Sequence, residues 1–131
     1  MWTLSYRGVK VTQTERIMEA LALTESEDNA NAPFGDHGRA LGRWQVHPDW
    51  LWGWAKRAHL APFLNEKWND FIERVVMSFV NYAIKLGLEP IGVALYFNRG
   101  HVIYVDDKEW QDPAVIAYRR RFSEKFAQIS K

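Results

Sequence analysis

The chain has 131 residues, a length that fits one domain, and 47% of them are hydrophobic, with seven tryptophans among them; that supplies a sizeable core and leaves aromatic surface for a ligand groove. Seventeen basic residues against sixteen acidic ones give a net charge of +1, which argues against a nucleic-acid partner, and the absence of cysteine excludes disulfides and thiolate metal sites. No apolar run approaches the roughly 20 residues of a membrane span, so stable membrane insertion is not expected.

Met1 to Arg7 lacks the basic start and apolar run of a signal peptide. Residues 1–11 alternate loosely (Trp2, Leu4, Tyr6, Val9, Val11) around Arg7-Gly8, which predicts a short strand pair or an extended arm. Thr12-Gln13-Thr14-Glu15 matches a capping box, so a helix should begin there. Met18, Leu21 and Glu25 stand at i, i+3 and i+7, which puts Glu25 on the buried face of the last turn. A carboxyl group there loses solvation, and its pKa should rise.

A long run of turn-forming residues follows, from Thr24 to Asp49. Asn29, Asn31, Pro33, Gly35, Asp36, Gly38 and Gly42 rule out a regular element. Irregular stretches of that length inside one domain are usually functional, and this one begins at Glu25. Asp49 is then placed to cap a helix through roughly His59, with Pro62 as its breaker. Asn65 should cap the longest helix, Glu66 to Leu86, stopped by Gly87. Its apolar positions from Trp68 to Ala83 make it the central core helix. Pro90 starts a further helix, Ile91 to about Asn98, ended by Gly100. Residues 101–111 read as irregular, with Val102 to Val105 able to form a short strand. Asp112-Pro113 opens the last helix, to about Ser130, with Val115, Ile116, Phe122, Phe126 and Ile129 facing inward.

Several of these residues suit the cleavage of a glycosidic bond. That reaction needs a proton donor on the leaving oxygen, and a carboxylic acid serves near neutral pH only with a raised pKa. Glu25 has the placement. An inverting hydrolase also needs a second carboxylate on the far side of the sugar. Asp36 lies in the same loop, between Gly35 and Gly38, where the backbone can bend. Gln45 and Asn98 can read sugar amides and hydroxyls, and aromatic faces can stack on the rings.

At these residues the sequence resembles the lysozyme-like superfamily, in particular goose-type lysozymes and soluble lytic transglycosylases. Glu25-Ser26 resembles the Glu-Ser pair of the catalytic motif, and Asn29-Ala30-Asn31-Ala32 resembles the transglycosylase Asn-Pro-Asn-Ala segment. Gly42-Arg43-Trp44-Gln45 resembles Gly-Leu-Met-Gln, and Phe97-Asn98-Arg99-Gly100 resembles Tyr-Asn-Ala-Gly. Three short motifs in order, over about residues 14–100, are far more specific than any one of them. Gly35-Asp36-His37-Gly38 resembles the goose-type segment whose Asp positions water. The departures are Glu27-Asp28 where transglycosylases have an aromatic, Phe97 where the family has Tyr (with Tyr96 before it), and His47 where the second goose-type Asp aligns.

The resemblance implies a mainly α, single-domain lysozyme-like fold over residues 1–131 with an active-site cleft. It implies cleavage of the β-1,4 bond between N-acetylmuramic acid and N-acetylglucosamine in peptidoglycan glycan strands. Glu25 would be the general acid, Asp36 would position water, and Ser26, Gln45, Tyr96, Phe97 and Asn98 would line the substrate. No cofactor, no metal site and no nucleic acid are implied, and a monomer is expected. A phage-type enzyme fits, made in the cytoplasm and acting on the cell wall. The rivals are a lytic transglycosylase giving 1,6-anhydro ends, a chitinase on the same fold, and a non-catalytic cell-wall-binding or virion structural module.

Each of these residues also has a plainer reading. Glu25 can be a solvated helix-end carboxylate, though the helix dipole disfavours one there. Asp36 can simply close a Gly-rich turn, and Gln45 and Asn98 can satisfy buried backbone groups. The tryptophans at 44, 50, 52, 54 and 68 are core by default, with one or two flooring the groove. The four histidines lack tight metal-ligand spacing. Arg119-Arg120-Arg121 reads as a solvated helix face.

Overall fold

A computed structural model describes residues 2–4, 10–26 and 41–129. The chain is mainly helical and forms one packed unit. A short antiparallel pair, β1 (Trp2–Leu4) and β2 (Lys10–Thr12), leads into α1 (Gln13–Ser26). The helices α2 (Pro48–Arg57), α3 (Trp68–Lys85), α4 (Pro90–Arg99) and α5 (Pro113–Ile129) follow, with a 3-10 turn at Lys108–Gln111 before the last.

The capping box forms as its sequence predicts. The Glu15 amide donates to Thr12 Oγ1 at 3.1 Å, and the Thr12 hydroxyl donates to Glu15 Oε1 at 3.0 Å. Gly87 ends α3 with φ +88. Its amide bonds the Ile84 carbonyl and the Leu88 amide bonds the Ala83 carbonyl, the paired bonds of a Schellman motif. Gly100, at φ +84, closes α4 through its amide on the Tyr96 carbonyl. The Asp112 carboxylate accepts the Ala114 amide at 2.8 Å and opens α5.

Three expected boundaries differ. His47 rather than Asp49 precedes α2, because Pro48 occupies the first helical turn, where its missing N–H costs nothing. Asp49 falls inside that turn, and α2 ends at Arg57, well before Pro62. Asn65 does not cap α3. It adopts φ +64 in the turn between Phe63 and Glu66, and α3 starts later, behind Lys67. The tolerance of Asn for left-handed backbone is used by the turn instead of the cap. Residues 102–105 form no strand. They have no neighbouring strand to pair with among the described residues, and the Tyr104 amide is taken by the Asp107 carboxylate at 2.7 Å.

The core sits around α3. Phe71, Ile72, Val75, Val76, Phe79, Val80 and Ala83 are buried along it, while Trp68 at its start is 43% exposed and lies beside Trp52. α1 packs on α5 and α3, α4 packs on α5, and α2 and α4 both pack on α3. On α5, Val115, Tyr118, Phe122 and Ile129 are buried, whereas Ile116 and Phe126 are only partly so. This arrangement brings the C-terminal ends of α1 and α4 to the same side as the start of α2.

Candidate active site

Glu25 sits in the last turn of α1 and is partly buried, as its place on the apolar stripe requires. Desolvation raises its carboxyl from 4.5 to about 7. That effect outweighs the Arg121 charge and hydrogen bonds from the Asn98 and Tyr118 side chains, all of which favour the charged form. The Tyr118 hydroxyl lies 3.5 Å from Glu25 Oε1. Burial beside Glu25 in turn pushes the Tyr118 phenol well above its ordinary range.

The segment that faces Glu25 is a tight hairpin. Leu41 and Val46 exchange both backbone hydrogen bonds, at 2.8 and 3.1 Å. Gly42 has φ +66, a conformation that favours glycine, while a Cβ there would make only a van der Waals contact, 3.4 Å, with Asn69 Oδ1. Gln45 also has positive φ, at +48, and its side-chain amide donates to the Gly42 carbonyl at 2.8 Å. The hairpin is fastened to α1 twice. Trp44 Nε1 donates to the Met18 carbonyl at 2.9 Å inside the core, and the Ser26 hydroxyl donates to the Arg43 carbonyl.

Glu25 and Gln45 share an open cavity of about 260 Å³ with His47, Trp50, Phe97 and Asn98. Arg99 and Gly100 form its edge. Trp50 meets Phe97 edge-on at 5.1 Å and Phe79 at 5.4 Å, so the aromatic wall is braced by the core. Arg99 is held outside by Glu109 at 3.0 Å, and His101 lies 2.6 Å from the same carboxylate. The His101 ring and then Arg99 hold the Glu109 carboxyl below its ordinary range. That clamp fixes the chain just beyond Asn98.

Of the residues singled out in the sequence, Glu25, Gln45, Phe97 and Asn98 meet in this cavity. Ser26 is not in its lining; its hydroxyl is spent on the backbone of α1 and the hairpin. Tyr96 faces an adjoining depression with Trp54 and packs on Phe79 at 4.8 Å. Asp36 and the rest of residues 27–40 lie outside the described residues. Among the described residues, no group of three His, Asp or Glu side chains is placed to hold a metal ion.

No family model, curated protein or solved structure matches this chain.

Two residues near Glu25, Tyr118 and Arg121, are not among the site residues the sequence points to. Tyr118 lies on the inward stripe of α5, three residues from Val115 and four from Phe122. A phenol on a buried stripe must find a hydrogen-bond partner, and that was the signal to follow. In sequence, Arg121 belongs to a run of three arginines that reads as a solvated helix face. The three arginines in fact separate. Arg121 acts on Glu25 and lies over the Tyr118 ring, and Arg119 lies over the Trp110 ring and donates to its carbonyl. Arg120 alone remains a plain exposed residue.

Chemically, the arrangement offers one carboxyl that keeps its proton near neutral pH, beside an open cavity with an amide and aromatic faces. It can donate that proton to a bound oxygen and take one back.

Proposed function

We propose that the protein cleaves the β-1,4 glycosidic bond of peptidoglycan as a muramidase of lysozyme-like fold, with Glu25 as general acid. The observation that carries this reading is the Glu25 carboxyl, raised to about 7 on the wall of an open cavity. The order of the Glu-Ser, Gly-Arg-Trp-Gln and Phe-Asn-Arg-Gly segments supports it, since each contributes to that cavity, the first through Glu25, the second through Gln45 and the third through all four of its residues.

On this reading Glu25 gives its proton to the glycosidic oxygen as the bond to the anomeric carbon breaks. Water adds to that carbon and loses a proton to a second carboxylate, for which Asp36 is the candidate. Asn98 holds the Glu25 carboxyl in place from α4, and Trp50 and Phe97 give the sugar an apolar wall. The protein acts as a monomer on cell-wall glycan strands, after synthesis in the cytoplasm. No helix among the described residues is long and apolar enough to cross a membrane.

Digestion of purified, labelled cell walls tests the reading. Soluble muropeptides with reducing ends, lost in Glu25→Gln, are the expected result. Fragments one water lighter, with 1,6-anhydro ends, would replace it with a lytic transglycosylase in which Glu25 acts as acid and then base. Binding with no soluble product would make the protein a non-catalytic wall-binding module. Asp36→Asn should lower hydrolysis by about 10²-fold or more while sparing glycan binding. A rate within about threefold of wild type would remove Asp36 from the mechanism.

A further inference from the structure

Among the described residues, Arg99 is the one permanent cation that borders the Glu25 cavity. An arginine beside a carboxyl ordinarily favours its charged form and lowers its pKa. Yet the charge that bears on Glu25 is Arg121, from α5, and desolvation outweighs it.

Arg99 is engaged elsewhere. Its Nε donates to Glu109 Oε2 at 3.0 Å. The other oxygen, Oε1, lies 2.6 Å from His101 Nε2. These two contacts, that of His101 first and then that of Arg99, hold Glu109 in its charged form. The mount of Glu109 is firm. It stands in the 3-10 turn at Lys108–Gln111, and the next residue, Trp110, is tied to α5. Arg119 donates to the Trp110 carbonyl at 2.9 Å and lies over its ring at 4.1 Å. The Trp110 amide bonds the Asp107 carbonyl as well. Glu109 can therefore hold Arg99 without being drawn towards the cavity.

The place of Arg99 gives that restraint a consequence. Arg99 directly follows Asn98, whose side chain hydrogen-bonds Glu25. The cavity it shares with Glu25, of about 260 Å³, is small enough for a guanidinium on a three-carbon stem to cross. Facing Glu25 are Tyr118 and Arg121 from α5, Asn98 and Arg99 from α4, and His47 from the start of α2. α3 also packs on α1 but adds no side chain to the lining. Glu25 is the only carboxyl in that lining among the described residues, so a guanidinium released by Glu109 has one acid in the cavity to turn to.

We propose that Glu109 is a positioning residue for Glu25, holding Arg99 at the cavity edge so that its guanidinium does not pair with the acid. The inference rests on Glu25 being the acid of the proposed reaction, and its test is read from the Glu25 carboxyl itself.

Nuclear magnetic resonance titration of that carboxyl in the full chain tests the proposal. Glu109→Gln releases Arg99, and the Glu25 pKa should fall by about 1 or more. The alkaline decline of wall cleavage should move to lower pH by the same amount. Glu109→Gln also removes a negative charge, so the double variant Arg99→Gln/Glu109→Gln discriminates, and in it Glu25 should titrate as in the wild type. Arg99→Gln alone breaks the same clamp and should likewise leave the Glu25 titration in place. Glu109→Asp keeps the charge and should restore most of the wild-type value. An unmoved Glu25 in Glu109→Gln would overturn the proposal. So would a double variant as low as Glu109→Gln, which would trace the effect to the lost charge of Glu109 itself. An equal fall in Arg99→Gln would overturn it too, because the clamp would then be merely structural. The expected set of Glu25 titrations, found in a protein that cleaves no cell wall, would strike the muramidase reading alone.

Discussion

Glu25 concentrates the conflict on which the site depends. Its place on an apolar stripe strips away water, while Arg121, Asn98 and Tyr118 supply partial compensation, and desolvation wins. The folded carboxyl titrates at about 7 against an ordinary 4.5, so the native state holds its proton more tightly than the unfolded chain. Stability is therefore greatest below about pH 4.5 as far as this group is concerned, and it falls as pH rises towards 7. The full span is roughly 3 kcal/mol at most. Glu25→Gln should remove that slope, which urea denaturation at pH 5 and pH 8 would measure as a variant more stable than wild type only at the higher pH. The same substitution should abolish cleavage, because the amide keeps the shape and carries no transferable proton. The wild-type rate should decline above about pH 7 as the acid form disappears. Arg121 draws the Glu25 pKa down, so Arg121→Gln should move that decline to higher pH. An unmoved pH–rate profile would show that solvent screens the Arg121 charge.

At the scale of elements, what matters is how the ends of helices are fixed. The site is assembled from the last turn of α1, the hairpin at 41–46, the first turn of α2 and the last turn of α4. None of these is held by its own helix alone. The hairpin depends on Trp44, whose indole N–H reaches the Met18 carbonyl. Trp44→Phe removes that donor, though the Met18 carbonyl keeps its bond within α1, and the smaller ring leaves space in the core. It should cost about 1–3 kcal/mol in chemical denaturation and loosen Gln45 at the cavity. The α3 terminus gives a cleaner measure of backbone strain. A Cβ at Gly87 meets nothing within 4 Å, so Gly87→Ala isolates the penalty of φ +88. About 1 kcal/mol of lost stability with unchanged activity is expected.

For the molecule as a whole, Phe79 links core to site. Its ring meets Trp50, Trp54, Tyr96 and Phe97, at 4.8 to 5.8 Å, so the walls of the Glu25 cavity and of the neighbouring depression lean on one buried side chain. Phe79→Ala should cost about 3–5 kcal/mol. A urea series of partly destabilised variants should show ligand affinity falling with it, because the cavity wall loses its backing. Leu64→Ser is the contrast. That side chain is 94% exposed, and its replacement should shift stability by no more than about 0.5 kcal/mol.

Local chemistry determined much of this protein directly from its sequence. The capping box at Thr12, the stops at Gly87 and Gly100, and the starts at Pro90 and Asp112-Pro113 are short-range devices, and each acts where its residues stand. The apolar spacing from Ile17 to Glu25 was enough to turn the carboxyl inward and to anticipate its raised pKa. Asp49 and Asn65 misled because a residue able to cap a helix is also suited to a first turn or a left-handed turn, and neighbours such as Pro48 decide between them. Periodicity marks which face of a helix is apolar but not what lies opposite. It therefore could not choose Trp50 as the cavity wall, send Ser26 to the Arg43 carbonyl, or separate Arg121 from Arg119 and Arg120. Those outcomes depend on α5 crossing α1 and on α2 meeting α4 over Phe79. They are contacts between residues far apart in the chain, and only the tertiary packing sets them.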